Sequence, residues 1–209
     1  IVYQPYAGEY DNKALANILY GNDAPTGRLT STWYKDDSAL SPISEYSIPD
    51  GKTITLSDLD PRYEYDMTNA DAYDQNLTYM YCNENDVTYE FGYGLGYADF
   101  SYSNLKVVST SDEGINLTVD VKNNSSTVTT SEVVQVYARN NDTDYGDAMA
   151  TRLAAFEKVE IGAGKTVTVP LTIKYDDIEI WDVNSASYIV EDGTYSIKVG
   201  HTAYDTPLS

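Results

Sequence analysis

Residues 115–121 read Ile-Asn-Leu-Thr-Val-Asp-Val, and residues 167–173 read Val-Thr-Val-Pro-Leu-Thr-Ile. In both, an apolar side chain stands at every second position with a polar one between. Successive side chains of a strand point to opposite faces, so this period marks strands with one buried face. Tyr195, Ile197 and Val199 repeat the pattern. Stretches 105–109, 132–139, 153–161 and 186–190 are further strand candidates, and the turn-like strings SDEG, KNNSS, IGAGK and EDG separate the set. About seven short antiparallel strands in roughly a hundred residues predict a two-sheet sandwich. Pro170 falls inside one of them and has no amide to donate, so that strand belongs at an edge or turns the proline nitrogen away from its neighbour.

Upstream the character changes. Residues 1–98 are mostly irregular. Ile1-Val2-Tyr3 is read as a short strand leaving an open sheet. In EYDNKALANILYG, Ala14, Leu15, Ile18 and Leu19 form one apolar helical face, with Asp11 or Asn12 to cap the start and Gly21 to end it in a left-handed conformation. So short a helix must dock on something to be stable. From Gly21 to Ser57 the chain is broken by Pro25, Gly27, Pro42, Pro49 and Gly51, and Arg28 among them is expected to tie its loop to carbonyls or a carboxylate. From Asp58 to Asn85 the text is polar and rich in tyrosine. So much irregular chain is unexpected in a compact independent domain, and the simplest account is that residues 1–98 wrap around structure outside this sequence.

Composition narrows the function. Thirty-three acidic against thirteen basic side chains give a formal net charge of −20 over 209 residues. Such a surface repels phosphate backbones, which argues against a nucleic-acid partner and suits an uncharged ligand or life outside the cell. No apolar run approaches the roughly eighteen residues of a membrane span. Cys82 is the sole cysteine, so no disulfide forms within these residues; it is read as a partly buried structural thiol, with the one histidine, His201, far away in sequence. NNDTDYGD, residues 140–147, gathers oxygen ligands of the kind calcium takes but lacks the twelve-residue calcium-loop pattern, and it is read as a solvated loop. Asn76, Asn116, Asn124 and Asn141 each open an Asn-X-Ser/Thr triplet, which matters only in a eukaryotic source.

GNDAPTGRLTSTWY (Gly21 to Tyr34) resembles the loop that follows a short helix in family 3 glycoside hydrolases. YEFGYGLGYADFSYSNLKV (Tyr89 to Val107) is similar to the stretch that introduces their last domain. SEVVQVYARN, TRLAAFEKVEIGAGKTVTVPLTI and YIVEDGTYSIKVG then match a fibronectin type III-like domain in order and spacing. The departures are Thr30 for the usual proline, Gly96 for the usual serine, and Leu153-Ala154-Ala155-Phe156 for a leucine-lysine-glycine-phenylalanine string.

The resemblance implies a mainly β chain: residues 99–209 as the fibronectin type III-like sandwich, and residues 1–98 as the largely irregular tail end of an α/β sandwich domain. It also implies that the aspartate nucleophile and the acid/base glutamate of a retaining glycosidase lie in parts not present here, the barrel and most of the α/β sandwich. None of the 33 carboxylates is assigned to catalysis, and no residue is assigned to a cofactor or a metal. The implied partners are the remainder of the hydrolase, in the same or a second chain, and an oligosaccharide; the implied place is extracellular. Trp33-Tyr34, Asp58-Leu59 and the tyrosine-rich 63–81 look closer to the β-xylosidase than to the β-glucosidase branch. A non-catalytic carbohydrate-binding or adhesion module is the alternative from another class. It would show an exposed coplanar set of aromatics on one sheet face. Gly92, Gly94 and Gly96 are expected at tight turns or close backbone approaches, without the strand-then-helix context of a phosphate loop.

Overall fold

The computed structural model describes residues 1–6, 8–39, 78–143, 151–182 and 184–209. Strands β3 (Phe100–Ser111), β4 (Gly114–Asn123) and β7 (Thr166–Lys174) form one antiparallel sheet in the order β3-β4-β7. Strands β5 (Thr130–Asn140), β6 (Arg152–Ile161) and β10 (Tyr195–Gly200) form the other, in the order β10-β5-β6. The alternation chosen from sequence is the pairing that builds the core. Leu117, Val119 and Val121 pair in register with Leu171, Val169 and Val167. Leu117, Val119, Val121, Val169 and Leu171 are buried with Val134, Val136, Ala154, Ile161 and Val199 of the facing sheet. Each such aliphatic side chain contributes about 1.5–3 kcal/mol by leaving water. β7 has one neighbour, β4, so Pro170 lies on an edge strand as expected.

The outer face of the β3-β4-β7 sheet is polar and bonded to itself. Asn104 and Thr168 donate to the two oxygens of Asp120, at 2.7 and 2.6 Å, and Thr172 and Ser109 bond Asn116. The side-chain bonds from Thr168 and then Asn104 hold the Asp120 carboxyl below its usual range. No aromatic platform stands among these groups.

Outside the two sheets, β8 (Ile180–Asp182) pairs with β9 (Ser187–Ile189) as a hairpin, with Trp181 opposite Tyr188. The candidate strand at 186–190 is thus real but belongs to neither sheet. Both rings are exposed, but they meet at 74°, edge to face, and present no common plane to a sugar.

Helix α1 (Asp11–Leu19) forms where the apolar spacing places it, and Gly21 follows at φ +74°. Asp11 and Asn12 do not cap it. Tyr10 holds that position without a side-chain bond, and Asp11 sits in the first turn, where it accepts from Gln4 and complements the amide end of the helix. None of its residues is buried. Residues 1–6 are exposed and carry no strand: their described contacts are through side chains, Tyr3 on Trp33 and Gln4 on Asp11, and no described strand pairs with their backbone. The sequence from 40 to 77, including Pro42, Pro49, Gly51 and Asp58-Leu59, lies outside the described residues, as do 144–147 of the acidic loop.

Residues 1–98 are expected to wrap around structure outside this sequence, and part of them also folds back onto the sandwich. A one-turn helix α2 (Thr78–Tyr81) and the glycine-rich 92–96 meet the sandwich itself, through Tyr79 on Tyr137 and Gly92 on Gln135, and a two-stranded sheet of β1 (Trp33–Tyr34) and β2 (Val87–Tyr89) precedes the glycines. The reason is β5. Its side chains are buried on both faces, with Gln135 and Tyr137 turned away from the core toward this layer.

Candidate functional site

The densest polar cluster of the described residues gathers on Glu132, near the start of β5. Its side chain is 1% exposed, and a carboxylate so buried is tolerable only if paired and hydrogen-bonded. Arg28 Nη2 donates to Oε2 at 2.7 Å. Tyr102 of β3 donates its hydroxyl to Oε1 at 2.9 Å, and His201 Nδ1 lies 3.0 Å from the same oxygen. Arg28 Nη1 also reaches the Gly27 carbonyl at 3.1 Å, so the guanidinium ties down its loop as its setting predicts. Burial first, and the Glu132 charge second, push the Tyr102 phenol far above its usual range, which keeps it a donor.

A second set of contacts continues from Gln135. Its amide donates to the carbonyls of Gly92 (3.3 Å) and His201, and its oxygen accepts from Tyr137 at 2.6 Å. Tyr79 stacks on Phe91 with centroids 4.4 Å apart, meets the edge of Tyr137, and accepts the Leu153 amide at 2.9 Å. The C-terminal turn closes the layer: Thr202 bonds Glu90, Ala203 N donates to Phe91 O, and Tyr204 Oη lies 3.0 Å from Cys82 Sγ.

The geometry ranks what this cluster can do. Both Glu132 oxygens are occupied by donors from the chain itself, so neither is left for an anomeric carbon or a leaving oxygen. The cluster joins four segments, those of Arg28, Tyr102, Glu132 and His201. Cys82 and His201 are not brought together as a catalytic pair, since one bonds Tyr204 and the other Glu132. Burial raises the Cys82 thiol above its ordinary range, away from a reactive thiolate. Among the described residues, no group of three or more His, Cys, Asp or Glu side chains is placed to hold a metal, and the Asp142 carboxylate bonds the Thr194 amide. Arg28 is legible in the sequence and its partner is not: Glu132 stands in a strand candidate, and nothing in its spacing announces a buried charge.

The glycine expectation is met where it counts. Gly92 has φ +84°, and a Cβ there would come 2.1 Å from Gln135 Oε1. A Cβ on Gly94 would come 2.3 Å from the Gly27 carbonyl, which is backbone and cannot swing away. Gly94→Ala is therefore expected to push the Arg28 turn off the layer and to cost about 1–3 kcal/mol. A urea-unfolding midpoint equal to that of the parent chain would contradict this.

Two family models match the chain in sequence order: the glycosyl hydrolase family 3 C-terminal domain over residues 1–97 and the fibronectin type III-like domain over 132–203. The chain belongs to the C-terminal part of glycoside hydrolase family 3. A xylan 1,4-beta-xylosidase of Xylanibacter ruminicola is 30% identical over all 209 residues, which are 21% of that protein. A probable beta-glucosidase M of Emericella nidulans is 28% identical, again across the whole chain and 28% of its own length. The crystal structure of a beta-D-glucoside glucohydrolase from Trichoderma reesei superposes with TM-score 0.69 at 25% identity, covering 96% of this chain and 28% of that one. This family 3 region thus spans between a fifth and a third of the relatives it matches. No helix among its described residues is long and apolar enough to cross a membrane.

Proposed function

We propose that these 209 residues are the bracing C-terminal region of an exported, retaining exo-β-glycosidase that removes terminal β-linked xylose from plant-derived oligosaccharides. The observation that carries this reading is the ordered pair of family matches on a chain covering only 21–28% of its relatives. The two catalytic carboxylates then belong to the remainder of the hydrolase, in the same or a second polypeptide. Xylose is favoured by the 30% identity to a xylan 1,4-beta-xylosidase and by Trp33-Tyr34 after the Arg28 loop. Glucose is the second reading, on the strength of the beta-glucosidase relatives. An extracellular setting fits the net charge of −20. We place the division between residues 1–98 and 99–209, between Tyr97, whose hydroxyl bonds Ile18 O of α1, and Phe100, the first residue of β3. The test is hydrolysis of nitrophenyl β-xyloside and β-glucoside by the intact hydrolase, with the 209 residues alone expected to be inactive. Proton NMR of the first product should show the β-anomer. An intact protein that cleaves neither compound would remove the glycosidase reading.

A further inference from the structure

A row of aromatic rings runs through residues 1–6, 8–39 and 78–97. Tyr3 meets Trp33 at 5.2 Å and 81°, Trp33 meets Tyr89 at 6.1 Å and 71°, and Tyr89 meets Tyr93 at 5.1 Å. The row starts from β-sheet register, since Trp33 and Tyr89 are direct partners of β1 and β2. It is not covered: Tyr3 is 60% and Trp33 37% exposed. The Gln4 side chain bonds Asp11, which joins the row to α1, where Leu19 and the adjacent Tyr20 are exposed and no residue is buried. A large aromatic side chain buries about 150–250 Å² when fully covered, and Tyr3 and Trp33 each leave a third or more of their surface open. A protein that stands alone in water rarely leaves contiguous apolar area beyond a few hundred Å² uncovered.

Three observations choose the occupant. The chain is 21% and 28% of the length of two relatives, so in them most of the protein lies outside the matched part. The whole row falls within residues 1–97, the part matched to a domain of the hydrolase and not to the fibronectin-like sandwich. The rings on either side of Trp33 stand steeply to it, an interlocked arrangement suited to a packed seam and not the flat open face that a pyranose covers. We propose that the Tyr3–Trp33–Tyr89 row, with the unburied face of α1 beside it, is the seam on which the rest of the hydrolase packs, through an aliphatic or aromatic surface of its own. This rests on the family 3 reading given above.

The chain carries two tryptophans, Trp33 and Trp181, and in isolation they are comparably exposed, at 37% and 49%. Hydroxyl-radical footprinting of the intact hydrolase, read by mass spectrometry, compares them inside one molecule. Trp33 is expected to be oxidised several-fold more slowly than Trp181, with or without sugar and at any protein concentration. Equal rates in an enzyme that hydrolyses either nitrophenyl glycoside would overturn the seam and leave the glycosidase reading intact. Protection that appears only with added xylose or glucose would overturn it in favour of a sugar contact. Protection that grows with protein concentration would overturn it in favour of a second copy. Absence of hydrolysis would remove the family reading itself, whatever Trp33 does.

Discussion

Glu132→Ala is expected to destabilise the chain by about 3–5 kcal/mol, the range for removing one member of a buried, hydrogen-bonded ion pair. The change strands three donors at once. Arg28, 12% exposed on its side chain, loses its carboxylate, and the Tyr102 hydroxyl and His201 Nδ1 lose the oxygen they share. The cost is chiefly the desolvation of groups left unpaired, so a control separates it from simple loss of packing. Arg28→Met with Glu132→Leu removes both charges, and this pair is expected to lose less stability than Glu132→Leu alone. Urea unfolding of the parent, Arg28→Met, Glu132→Leu and the double variant reads this directly. A double variant as unstable as the sum of its singles would show that the charges do not act together. The second readout is spatial. Because Arg28 belongs to the layer and Glu132 to the sandwich, the single variant should raise hydrogen exchange in residues 27–29 before it does so in β4.

Tyr137→Ala should cost a similar amount, about 3–5 kcal/mol, the range for deleting a large buried aromatic. Tyr137 is fully buried, although it points away from the sandwich core, because Tyr79 and the segment around Phe91 lie over it. Its deletion therefore opens a space between layer and sheet, and amides 79–93 should lose protection more than those of β4 and β7. Tyr137→Phe keeps the ring and removes only the 2.6 Å bond to Gln135. It should cost about 1–2 kcal/mol and leave the layer in place. If Tyr137→Ala lowered protection evenly through both sheets, the layer would be an inseparable part of the sandwich core.

The sandwich was legible in sequence because its physics is local. A strand with one buried face has to alternate, and β4, β7 and β10 do so without interruption. Arg28 was legible for a similar reason, since a guanidinium in a loop broken by Pro25 and Gly27 has few other uses. Its partner was not. Glu132 lies 104 positions away, and a charge within SEVVQVY reads as a solvent-facing residue until the fold closes over it. β5 breaks the alternation rule, since Gln135 and Tyr137 are as buried as Val134 and Val136. That pattern reports a strand covered on both sides, and it was the available sign that part of residues 1–98 folds back onto the sandwich. The missed cap and missing first strand have a common cause. Near Ile1 and Tyr10 local propensity is the only guide, whereas the contacts made there, Tyr3 on Trp33 and Gln4 on Asp11, are tertiary.

Pro170 has one more effect. The pairing of β4 with β7 runs unbroken from Gly114↔Lys174 to Lys122↔Thr166, so the proline ring replaces an amide that would otherwise face outward from the rim. An incoming strand finds no donor there. On β6, an edge strand of the other sheet, the Tyr79 hydroxyl already occupies the Leu153 amide. The edge strands β7 and β6 are thus each blunted at one position as a template for a further strand.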